Sequence, residues 1–109
     1  MAYAHPKERT FKAILRFYFS QHRSRGCKIT HMVGVPMIVA SFILIPLHWM
    51  TAAVLFVVGW ILQFVGHYVY EHNSPVLLEI HSPLILLAAL VLVVHEWKRF
   101  LTGKPIASS

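Results

Sequence analysis

A chain of 109 residues suffices for one domain. Its residues are 57 % apolar and only 13 % charged, well below the charged share of soluble domains. The formal charge of +6 comes from basic residues gathered before position 29 and after position 97, a separation that excludes the interleaved charge of a nucleic-acid binder and suits anionic lipid headgroups. The expected fold class is therefore all-α, an integral membrane helical bundle with an N-terminal amphipathic helix plus three to four hydrophobic helices.

In chain order, residues 6–22 read as an interfacial helix. Pro6 suits a first helical turn. Phe11, Ile14, Leu15 and Tyr18 line one face, while Arg9, Lys12, Arg16 and Arg23 favour the other, a division that lies along a membrane surface more readily than across it. The opening residues are polar and mixed in charge, so no cleavable secretory leader is expected. The basic link RSRGCK follows. Its Cys27 is the sole cysteine, forms no internal disulfide and reads as a bystander.

Residues 29–48 form the first expected span and residues 51–71 the second, each close to the roughly 20 residues that cross a bilayer. The stretch IPLHWMT, with its proline, is the turn between them, and Trp49, Tyr68 and Tyr70 suit interfacial anchors. Gly34, Gly59 and Gly66 allow close helix approach, and Pro36 kinks or starts its helix. The last apolar run, PLILLAALVLVV, covers under two thirds of the hydrocarbon core at about 1.5 Å per residue, so residues 82–101 are a short span or a buried helix.

Two antiparallel spans bring His22, His31, His67, Glu71, His72 and His81 towards one membrane face, with His48 and His95 towards the other. The basic 23–28 loop marks the first face as cytoplasmic. A third full span would carry Lys98 and Arg99 across, so either the last helix stops short or the charge rule is overridden. Gln63, His67 and Glu71 recur every four residues and share one helical face. Two readings stay open at this point. A histidine at a span's end is often an interfacial residue with a wet tip. Several imidazoles beside a carboxylate also suit iron, zinc or copper. Neither HExxH nor the close-set HxxHH boxes of di-iron hydroxylases occur.

The order of His22, His31, the Gly34–Pro36 GxP, WxxQFxGHxxxE from Trp60 to Glu71, and Pro75 resembles the small integral membrane family typified by the yeast 2-hydroxy fatty acid dioxygenase of phytosphingosine breakdown. The similarity runs from about Tyr18 to Leu78, with weaker likeness through HSP and LTGKP. The resemblance implies Fe(2+)-dependent α-oxidation, in which a 2-hydroxy fatty acid and O2 yield an acid one carbon shorter. It implies that His22, His31, His67 and Glu71 hold the iron and are catalytic, with His72 and His81 as secondary candidates. Arg23, Arg25 and Lys28 are available to the substrate carboxylate. Cys27 stands where the family usually has asparagine, and PVL at 75–77 replaces a commoner PAL or PAT.

The expected partners are thus the fatty acid, O2 and a lipid bilayer, with no nucleic acid; a homo-oligomer is compatible. The setting is a bacterial inner membrane or the endoplasmic reticulum. The competing readings are a small transporter, which calls for ionisable groups at mid-span, a haem- or metal-binding membrane protein, and a non-catalytic one.

Overall fold

The structure, a computed structural model, describes residues 10–80 and 82–108. Every regular element among them is helical: α1 (Phe11–Ser20), α2 (Arg25–Leu44), α3 (Trp49–Val65), a π-helical turn (Gly66–Glu71), α4 (Val76–Glu79) and α5 (Leu84–Leu101). The beginning expected for the first helix, at residue 6, lies outside the described residues. Within them Thr10 caps α1, its hydroxyl oxygen accepting from the Ala13 N–H at 3.3 Å.

Capping also sets the helix starts that the apolar runs misplace. α2 begins at Arg25 rather than 29 because the Ser24 hydroxyl accepts from the Cys27 N–H at 3.2 Å. Four of the six residues of the basic link therefore form the first turn of a helix. α3 begins at Trp49 rather than 51, where His48 Nδ1 accepts from the Thr51 N–H at 3.3 Å.

α2 and α3 form a tight hairpin. Where they cross, Gly34 and Gly59 face each other, and a Cβ on either would stand 2.9 Å from the other's carbonyl oxygen. Two glycines let the backbones meet. Pro36 lies inside α2 without ending it. Its missing N–H leaves the Met32 carbonyl without its helical donor. The Trp97 indole N–H supplies one at 2.9 Å, which ties α5 to α2 at the break.

The buried core lies elsewhere. Ile14, Phe17 and Tyr18 of α1 pack with Val76 and Ile80 around α4, and with Ile85, Ala88 and Leu92 of α5. The apolar face of α1 is thus matched by the stripe of α5, which is the better partner for it than an open surface, while Lys12 and Arg16 stay exposed. On the hairpin, by contrast, large apolar side chains are bare: Phe42 is 60 % exposed, Leu47 76 % and Trp49 69 %. α2 and the continuous α3–π segment, of 20 and 23 residues, are long and apolar enough to cross a bilayer.

α5 has 18 residues but carries Glu96, Lys98 and Arg99 in its last turns. It packs on α1 and α2 and brings its basic end back to the start of α2. Glu96 pairs there with Lys28 at 3.4 Å and Arg99 at 3.9 Å, and Lys28 Nζ donates to the Ala107 carbonyl at 2.8 Å. His95, expected at the far end with His48, lies instead on the side of His22, its ring edge against Phe19 at 5.8 Å.

Candidate metal centre

Three separate stretches each deliver one imidazole. His22 follows α1 directly, His31 lies in the second turn of α2, and His67 lies in the π-helical turn. The three rings are buried and mutually near-perpendicular, with centroids 4.5 Å apart for His22–His31, 4.5 Å for His22–His67 and 4.9 Å for His31–His67.

Hydrogen bonds indicate which nitrogen of each ring carries the proton. His22 Nδ1 lies 2.6 Å from the Tyr18 carbonyl, His31 Nδ1 2.8 Å from the Cys27 carbonyl, and His67 Nδ1 2.7 Å from Asn73 Oδ1. All of these partners are acceptors, so each Nδ1 carries the proton and each Nε2 presents a lone pair. His22 Nε2 and His31 Nε2 then face each other at 3.2 Å with no proton between them. Two lone pairs at that distance repel unless a cation lies against both. Oxygen acceptors behind each ring are also the usual support of histidine metal ligands. The donor set fits a divalent transition metal held by three neutral nitrogens, with coordination positions left over.

The electrostatics keep His22 neutral. Burial pushes its pKa well below the ordinary 6.5, and repulsion from His31 and His67 adds to this, while the bond to the Tyr18 carbonyl opposes it. The Tyr18 ring stacks on His22 with centroids 4.0 Å apart. Burial, and to a lesser degree Cys27, pushes the Tyr18 phenol far above its usual range, so it stays protonated.

The other expected residues are distributed around this trio. Cys27, read as a bystander, is the fourth member of the group, since its Sγ and one nitrogen of each histidine lie within 4.8 Å of one another. The sulfur approaches His31 at Nδ1, 3.8 Å away, the nitrogen already committed to the Cys27 carbonyl. Glu71, expected as the carboxylate ligand, is not in that group. Its Oε1 accepts from the backbone N–H of Arg23 at 2.8 Å and of Ser24 at 2.7 Å, where it completes the cap at the positive end of α2. The π turn explains part of this: its extra residue per turn changes where a side chain four positions past His67 points.

His72 is exposed and sits at φ 60, in the left-handed conformation that ends the π turn and swings the chain away. His81 lies outside the described residues. Arg23 and Arg25 are exposed near the trio, whereas Lys28 is buried against Glu96. Sequence reasoning passed over Asn73, whose side chain holds His67 and donates to the Gln21 carbonyl at 3.1 Å and Gln21 Oε1 at 3.0 Å. An asparagine just past the motif's HxxxE, ahead of Pro75, is the only local signal for it.

An apolar cavity of about 200 Å³ opens beside the trio. His31, His67, Tyr18 and Gln63 line it along with Val35, Phe42 and Leu90, so imidazoles meet a greasy wall that runs up the hairpin. From His31 to Phe42 the α2 wall extends roughly 16 Å at the helical rise per residue.

In comparison with known protein families, the family model Mpo1-like, described as 2-hydroxy-palmitic acid dioxygenase Mpo1-like, matches residues 8–104. The chain belongs to this family. No curated protein and no solved structure matches the chain. Membership in the Mpo1-like family agrees with the resemblance carried by His22, His31 and the Trp60–Glu71 block. The matched region contains all three imidazoles, Asn73 and the walls of the cavity.

Proposed function

We propose that this chain is an iron(II)-dependent dioxygenase that shortens 2-hydroxy fatty acids by one carbon at a membrane interface. One observation carries the reading: His22, His31 and His67 bring one ring nitrogen each within 4.8 Å of one another, and two of these rings line an apolar cavity between helices suited to lipid. The family description names the same class of substrate and reaction.

In this reading His22, His31 and His67 hold the iron as neutral ligands, and Glu71 serves the site indirectly by pinning the π turn to the start of α2. Iron(II) supplies the means of activating dioxygen towards the 2-hydroxy acid. The balance needs no further reductant, since hydroxy acid and dioxygen give the shorter acid, carbon dioxide and water. The cavity takes the alkyl chain and keeps water from the reacting carbons. Exposed Arg23 and Arg25 would attract the anionic head and the surrounding lipid headgroups, and with α5's basic end they support a cytoplasmic orientation of this face, in a bacterial inner membrane or the endoplasmic reticulum. A haem-binding role fares worse, because ring centroids 4.5 to 4.9 Å apart leave no space for a porphyrin between them.

The test is anaerobic reconstitution of the full chain with iron(II), followed by oxygen and 2-hydroxypalmitate. Mass spectrometry is expected to find the acid one carbon shorter, and to find none with His67→Ala. Absence of shortened acid across several chain lengths, with no metal retained, would instead make this a non-catalytic membrane protein.

A further inference from the structure

Two buried side chains at the cavity wall have hydrogen-bonding capacity that the protein leaves unused. Gln63 lies one helical turn before His67, is only 4 % exposed, and lines the cavity. Its Nε2 donates to the Gly59 carbonyl at 3.3 Å. That contact fixes the orientation of the amide, because a carbonyl takes a donor and not a second oxygen. Gln63 Oε1 then has no partner among the described residues. Among the described residues no sealed-off side-chain nitrogen or oxygen lacks a partner, so this oxygen reaches open space, and Gln63 lines the cavity. The Tyr18 hydroxyl, on the same cavity, is likewise without a partner among the described residues.

The fold makes room for this arrangement. A Cβ at Gly34 would collide with Gln63 Nε2, so the glycine at the crossing lets the amide lie where it does. An alkyl chain gains nothing from an amide oxygen in its wall, and leaving such a group unpaired in an apolar setting is unfavourable. The oxygen accepts only. A carboxylate, also an acceptor, is repelled by it, and on an ionised 2-hydroxy acid the hydroxyl is the one donor. The Tyr18 O–H, which donates, complements the carboxylate.

Building on the dioxygenase reading, we propose that Gln63 Oε1 accepts a hydrogen bond from the 2-hydroxyl of the fatty acid and so selects 2-hydroxylated over unsubstituted acids. Sites built to pair a substrate hydroxyl discriminate strongly against the analogue lacking it, because the site's own polar group is then stranded.

The experiment is competition binding of 2-hydroxypalmitate and palmitate to the iron(II)-loaded full chain in detergent micelles, without oxygen. The wild type is expected to prefer the hydroxy acid by roughly 10- to 100-fold. Gln63→Met, at wild-type metal content, is expected to cut that preference about tenfold by weakening the hydroxy acid alone. An unchanged preference in Gln63→Met, or equal weakening of both acids, overturns the proposal. Should the variant fail to fold, 2-fluoropalmitate on the wild type decides: it has no donor and is expected to bind like palmitate, and binding as tight as the hydroxy acid's overturns the idea. The readout precedes oxygen, so it stands apart from a failure to produce shortened acid, which would count against the dioxygenase reading itself.

Discussion

Asn73 offers the sharpest test of the proposed metal centre, because its removal takes away the support of a proposed ligand and leaves the ligand in place. In Asn73→Ala three side-chain hydrogen bonds disappear: the one at 2.7 Å to His67 Nδ1 and the two to Gln21 at 3.1 and 3.0 Å. Each is worth about 1 kcal/mol net, and Asn73 is only half-buried, so water replaces part of what is lost; an overall destabilisation of about 1–2 kcal/mol is expected. The effect on metal is larger in kind. Without its acceptor the His67 ring is free to change tautomer and orientation, and loss of such a partner typically weakens metal binding 10- to 100-fold, about 1.4–2.7 kcal/mol. Anaerobic titration of iron(II) against a competing chelator measures it directly. Asn73→Asp separates the two effects, since it keeps an oxygen for His67 Nδ1 and loses the amide donor to Gln21. It is expected to bind metal at least as tightly as the wild type while remaining destabilised. Asn73→Ala within twofold of wild type, or equal weakening in both variants, would refute the assignment of His67 as a ligand held in this way.

Two further outcomes follow from the packing and the charge. Gly34→Ala places a methyl 2.9 Å from the Gly59 carbonyl oxygen and against Gln63, and is expected to destabilise the hairpin by about 1–3 kcal/mol in thermal unfolding, whereas Gly103→Ala, in open space though at positive φ, leaves the hairpin untouched. In metal-free protein, His22 resists protonation when folded but takes up a proton near pH 6.5 when unfolded. Its contribution to folding is therefore full above pH 6.5 and falls by about 1.4 kcal/mol for each pH unit below it, which acid titration of the melting temperature with and without chelator will register.

Much of the architecture was legible because it follows from long uncharged runs. The hairpin of α2 and α3 and the gathering of His22, His31 and His67 at its open end are of this kind: an antiparallel pair puts the start of one helix beside the end of the other. What escaped is contact between residues remote in sequence. Glu71 shares a helical face with His67 by spacing, yet its partners are the backbone N–H groups of Arg23 and Ser24, 48 and 47 residues away, which no periodicity reveals. The π turn depends on one extra residue inside a continuous apolar helix and leaves no mark in hydrophobic pattern. The place of α5 was left open between a short span and a buried helix for a similar reason. Lys98 and Arg99 conflict with a spanning helix on charge grounds, and the resolution, pairing of Glu96 with Lys28, lies between residues at opposite ends of the chain.

The three imidazoles come from before α2, within α2 and after α3, and this has a consequence for biogenesis. A hairpin inserted alone holds two of them; the third arrives only when α1 docks on α5 and carries His22 into place. The complete nitrogen set therefore exists only once the two ends of the chain have met. Metal occupancy at the proposed centre would then report finished assembly, and a nascent or half-inserted chain would offer no complete set of ligands.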